Sequence, residues 1–152
     1  MAYTRSKYIH SRPQIKIRRF TMGDAQTDYK HAVCLIAPHP TKIGGCAIES
    51  ARIAANKVLE AASGVPYLLK VAVYPHEIVR EHRLMGFAGA DRLSQGMTKS
   101  FGKAKSCAAR VGANQAILVV YVNEDGVDVA KASLKRASKK LPVPCKILVR
   151  EA

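Results

Sequence analysis

QAILVVYVNEDGVDVAKASLKRASKKLPVPCKILVR, residues 115–150, reads as strand, helix, strand, and it decides the fold class. Gln115 to Val122 is a continuous apolar run rich in β-branched residues, the composition of a buried strand. Asn123 to Gly126 carries turn residues. Beyond them Val127, Ala130, Leu134, Ala137 and Leu141 recur at the spacing of one helix face. Pro142 and Pro144 punctuate, and Lys146 to Arg150 alternates so that Ile147 and Val149 face opposite to Leu148.

The same three-part pattern lies upstream. Ala32 to Ala37 is an apolar run closed by Pro38 and Pro40. A helix is predicted after Gly44 and Gly45, with Ile48, Ala51, Ala55, Val58, Leu59 and Ala62 on one stripe and Gly64 and Pro66 at its end. Tyr67 to Tyr74 returns to β character until Pro75 stops it. Two such units in series can pair into one sheet with both helices on a single face. The expected fold is therefore α+β: a two-layer sandwich with a mixed or antiparallel sheet, in one domain spanning residues 1–152, with a long basic central insert.

The chain has 152 residues, enough to bury a core without disulfide or metal staples. Its 25 Lys and Arg against 11 Asp and Glu give a net charge of +14, which repels further copies of itself and attracts polyanions. Nucleic acid is the leading partner class, and a homo-oligomer is not expected. The longest apolar run, Ala116 to Val122, falls far short of the ~18 residues of a spanning helix, and the N-terminus has no apolar export signal. No membrane partner is expected. Cys34, Cys46, Cys107 and Cys145 are scattered, which fits reduced thiols in the cytoplasm rather than a zinc site or disulfide scaffold.

Two basic stretches are candidate binding elements. The first is an arm over residues 1–20, where Arg5, Lys7, Arg12, Lys16, Arg18 and Arg19 precede any acid, Tyr3 and Tyr8 are interleaved, and Ile15 to Arg18 alternates like a strand with one cationic face. The second is the segment 75–114, too long for a plain connection. From Arg92 to Asn123 it holds no acid, while Arg92, Lys99, Lys103, Lys105 and Arg110 are basic. Asp91 is placed to cap a short helix starting at Arg92, leaving Gly102 to Ser106 as a flexible tip.

Catalytic signatures are weak. His76, Glu77 and His82 suggest zinc hydrolysis, but the histidines stand six apart rather than the four that would put both on one helix face. Ser94, Cys107 and His39 have no nucleophile signature around them. No catalytic residue, cofactor or metal is assigned. Gly86, Phe87, Ala88 and Gly89 match the bare GxxG of KH domains, so a free-standing KH-like RNA-binding protein is the alternative reading, although a KH loop joins two helices. A small enzyme using His76 or His82 as base is a further rival. The paired aromatics of a base-stacking RRM sheet are not evident, so binding should lean on phosphate and shape.

The segment GFAGADRLSQGMTKSFGKAKSCAARV, Gly86 to Val111, closely resembles the signature region of a large-subunit ribosomal protein family, called L-ten-e in archaea and eukaryotes and L-sixteen in bacteria. The resemblance extends to AYTRSKY at 2–8, AIESARIAANK at 47–57, PHEIVREHRL at 75–84 and KASLKRASKKLPVPCKI at 131–147, and is strongest toward archaeal members. It implies a structural, non-enzymatic constituent of the large ribosomal subunit that binds rRNA near the aminoacyl-tRNA site and the peptidyl transferase centre, with neighbouring ribosomal proteins as further partners. By resemblance, Arg80, His82 and Arg83 face rRNA, as do Arg5, Lys7 and Arg12 in the arm, and Arg92 supports the central loop. Gly102, Lys103, Ala104, Lys105, Ser106 and Cys107 would form the loop tip near tRNA. Relatives usually carry a Pro and a second Gly there, and this chain has neither.

Overall fold

The computed structural model describes residues 6–25, 27–62, 64–81 and 102–151. In chain order the strands are β1 (Thr21–Gly23), β2 (His31–Ala37), β3 (Thr41–Gly44), β4 (Tyr67–Val71), β5 (Glu77–Glu81), β6 (Lys103–Val111), β7 (Gln115–Val122) and β8 (Lys146–Glu151). The helices are α1 (Gly45–Ala61) and α2 (Val127–Ser138). Single 3-10 turns occupy Ser6–Tyr8 and Glu124–Gly126.

The two most apolar segments, β2 and β7, pair at the middle of a sheet ordered β1-β4-β7-β2-β8. Every neighbouring pair in it is antiparallel. Consequently β2 and β4 run parallel with β7 between them, and β7 and β8 run parallel with β2 between them. Each strand–helix–strand unit is thus split by a strand of the other, which joins the two halves of the chain in one sheet.

Alternation along these strands divides the sheet into two faces. Val33, Leu35, Leu69, Leu118, Val120 and Val122 point to the helices, where they meet Ile48, Ala51, Ala55 and Leu59 of α1 and Ala130, Leu134 and Ala137 of α2. Both helices lie on this face, as expected, and alanines along their inner stripes let them approach each other. On the opposite face Ala32, Cys34, Ile36 and Val119 form a smaller cluster.

A second sheet, ordered β3-β6-β5, was not anticipated. It is built largely from the segment 75–114. Its ends, β5 and β6, pair antiparallel, Glu81 with Lys103 and Ile78 with Cys107, and β3 covers the other edge of β6. The segment expected to end in a flexible tip at Gly102 to Ser106 instead enters a nine-residue strand at Lys103. The physical reason is pairing: β5 takes up the stretch Lys103 to Ala108 and β3 takes up Ala108 to Val111, while Ala109 and Val111 are buried in the main core. The predicted cap at Asp91 and helix from Arg92 fall outside the described residues.

The arm also differs in detail. Ile17 is buried, Ile15 is half-buried against the core, and Lys16 and Arg18 are exposed, so the predicted alternation of faces is present. The ladder is not: strand pairing begins only at Thr21, where β1 meets β4.

Candidate nucleic-acid interface

The arm is anchored from beneath. Ile15, Ile17 and Phe20 pack on the core, and Lys7, Arg12, Lys16, Arg18 and Arg19 are left on the solvent side. Lys7 lies over the Tyr8 ring, its ammonium 4.9 Å from the centroid.

One carboxylate on α1 sets the arm's electrostatics. Glu49 accepts from Arg52 Nε at 2.8 Å and Arg52 Nη2 at 2.7 Å, a two-pronged charge-assisted pair one helical turn apart. It also accepts from the backbone N–H of Arg18. The Arg52 hydrogen bond, only partly opposed by burial, holds the Glu49 carboxyl below its ordinary range, and the same contact raises Arg52. The acid beneath the arm therefore engages Arg52 first and Arg18 more weakly, while Arg18 and Arg19 line a cleft of about 410 Å³. Its floor is a relay in which the Tyr67 hydroxyl donates to Asn56 Oδ1 at 3.1 Å and Asn56 Nδ2 donates to Glu60 at 2.7 Å.

The second sheet is less one-sided in charge than its sequence. Although residues 92–123 hold no acid, β5 brings Glu77 and Glu81 across the ladder. Lys42 Nζ lies 3.0 Å from Glu77, and Lys105 is ion-paired to Glu81. Arg110 sits opposite Lys42 in register and is exposed, as is Lys103. Arg80, expected to face RNA, is half-buried, with Nε and Nη2 shielded from solvent.

Arm and second sheet meet at Cys107, whose Sγ donates to the Pro13 carbonyl at 3.5 Å. Burial pushes the Cys107 thiol up against the opposing pull of Arg12, so this sulfur pins the arm and is a poor nucleophile. Beside it stands a feature the sequence did not disclose. Phe20 and Tyr74 stack at 5.4 Å with an interplanar angle of 18°, and the His76 ring leans on Tyr74 at 4.6 Å. The only hint in the sequence was the Tyr74-Pro75-His76 triplet following β4.

Arg5, His82, Arg83, Arg92 and Lys99 lie outside the described residues, as do Ser94 and the Gly86–Gly89 tetrad. His76 of the zinc reading takes part in the aromatic stack. The chain heads toward the tetrad from strand β5, not from the helix of a KH loop. Among the described residues, exposed cations thus occur along the arm, in a smaller, partly neutralised group on the second sheet, and in a further set on α2 and β8 and between them that includes Lys135, Arg136, Lys139, Lys140 and Arg150.

Comparison with known proteins matches residues 1–148 to the family described as Ribosomal protein L16p/L10e. The chain is 44% identical over 148 residues to the large ribosomal subunit protein uL16 of Hyperthermus butylicus, covering 97% of this chain and 82% of that protein. It is 42% identical over 151 residues to uL16 of Thermofilum pendens, covering 99% and 90%. To uL16 of Archaeoglobus fulgidus it is 41% identical over 150 residues, covering 98% and 86%.

Proposed function

The chain belongs to the ribosomal protein L16p/L10e family, and on that premise we propose that it is a structural, non-catalytic constituent of the large ribosomal subunit in the cytoplasm. Its cationic arm lies along large-subunit rRNA near the aminoacyl-tRNA site and the peptidyl transferase centre. The supporting observation is the arm itself: apolar residues of residues 15–20 hold it to the core while Lys7, Arg12, Lys16, Arg18 and Arg19 are turned outward. Phosphate contacts from such a row fix register and supply affinity, and the rigid sandwich fixes position. Arg110 and Lys103 extend the contact onto the second sheet. The segment Gly102 to Cys107 approaches tRNA, and other ribosomal proteins border the remaining surface.

Salt dependence of binding to large-subunit rRNA tests this. Five arm cations, each neutralising a phosphate, give a slope of log affinity against log salt of about −3.5 to −4.5. Replacing Arg18 and Arg19 together by Ala should bring that slope about 1.4 to 1.8 closer to zero. A flat response, or a slope indifferent to those two residues, overturns the reading. Crosslinking of aminoacyl-site tRNA in intact subunits tests the finer placement, with adducts expected in the segment ending at Cys107 and their absence there counting against it.

A further inference from the structure

We propose that the Phe20–Tyr74–His76 stack and the cavity beside it form a docking site for a single unpaired nucleobase of RNA. The inference rests on the rRNA-binding role proposed above and names a site within it. Three observations converge. The rings form a continuous ladder, Phe20 on Tyr74 and Tyr74 on His76, of which Tyr74 is 45% exposed and His76 is also exposed. Exposed aromatic rings of this kind are what single-stranded bases stack on. Next to the ladder is a cavity of about 230 Å³ lined by Arg12, Pro13, Gln14, Tyr74, His76 and Cys107 among others. That volume is below the ~300–1,000 Å³ of sites for drug-sized ligands, which favours one base over a larger cofactor.

The third observation is the chemistry of the lining. Arg12 brings the cations of the arm to the cavity, Gln14 offers an amide that can both donate to and accept from a base edge, and no acid is among the described residues of the wall. A base enters against the His76 and Tyr74 rings, and its phosphate is held by Arg12. The site is also firmly built, because the Cys107 thiol ties Pro13 to β6 and the His76 backbone N–H donates to the Tyr74 carbonyl at 3.0 Å.

The full chain is titrated with a short oligouridylate RNA carrying one 2-aminopurine, whose fluorescence is quenched when its ring stacks. The expected result is quenching by the wild-type chain. Tyr74→Leu, which keeps an apolar side chain against Phe20, and His76→Ala should each weaken binding roughly tenfold and relieve the quench, with the salt slope unchanged. Arg12→Ala should instead bring the slope about 0.7 closer to zero. If Tyr74→Leu fails to fold, the exposed His76→Ala change carries the test. Full quenching in the His76 variant, or a loss that appears only as a changed salt slope, overturns the inference. So does an unquenched probe with a wild-type chain that still binds large-subunit rRNA, which leaves the proposed function standing. Failure to bind rRNA at all overturns both.

Discussion

Removing the Glu49 carboxylate should loosen the polar tie between α1 and the arm without dismantling the sandwich. Glu49→Ala deletes two charge-assisted hydrogen bonds from Arg52 and the acceptor for the Arg18 backbone N–H. The side chains are 14% and 11% exposed, so the pair is shielded but not sealed from water. Breaking a fully buried pair costs about 3–5 kcal/mol. Water can partly replace the lost acceptor here, and Met22 Sδ gives Arg52 Nη1 only a weak one, so about 2–3 kcal/mol is the reasoned cost. For a chain of this size each kcal/mol lowers the thermal midpoint by roughly 2–4 °C, so the midpoint should fall by about 4–12 °C. The decisive assay is a double-mutant cycle with Arg52→Ala followed by chemical denaturation. Once Arg52 is absent, no guanidinium is left stranded, and the Glu49 change should cost at least about 1 kcal/mol less than it does alone. Strict additivity of the two changes would refute the coupling.

Three other outcomes follow from the same contacts. Glu49 titrates below its ordinary 4.5 in the folded chain, so its stabilisation is complete above the unfolded value and disappears as pH falls through the folded one. Acid titration of stability should therefore be flatter below about pH 4.5 in Glu49→Gln than in the wild type. Gly23 has φ +94° and packs directly beneath the Tyr67 carbonyl, where an added Cβ would collide; Gly23→Ala should cost more than about 2 kcal/mol by denaturant titration. Leu134 is fully buried between the helix layer and the sheet, and Leu134→Ala should cost about 2–5 kcal/mol with little change in the denaturant slope.

The elements most visible in the sequence are those whose burial alone determines them. Gln115–Val122 and the apolar stripes of α1 and α2 declare themselves because one side of each segment must leave water. β6 does not: Lys103 to Val111 is rich in Ala and Lys, with weak β propensity, and becomes a strand because β3 and β5 flank it. Ile15 to Arg18 shows the reverse case, a strand-like alternation that buries its isoleucines without acquiring a ladder partner. The charge of the site was legible along the arm, where the distant acid beneath it, Glu49, is engaged mainly by Arg52, but not on the second sheet. There the pairing of Lys105 with Glu81 depends on strand register, which a linear count of acids ignores. The aromatic stack was hidden for the same reason, since Phe20 reaches Tyr74 only after β1 and β4 have come together.

The interleaving of the two halves bears on how this chain is made. Until β7 leaves the ribosome that is synthesising it, β4 and β2 have no strand between them, so the first half alone cannot complete its hydrogen-bond ladder. The polycationic arm is then already exposed to the RNA around the exit tunnel while its own sheet is unfinished. Slow, long-range closure of this kind prolongs that exposure. It also means that a nonsense codon anywhere before residue 115 yields a sticky basic fragment, not a smaller working protein.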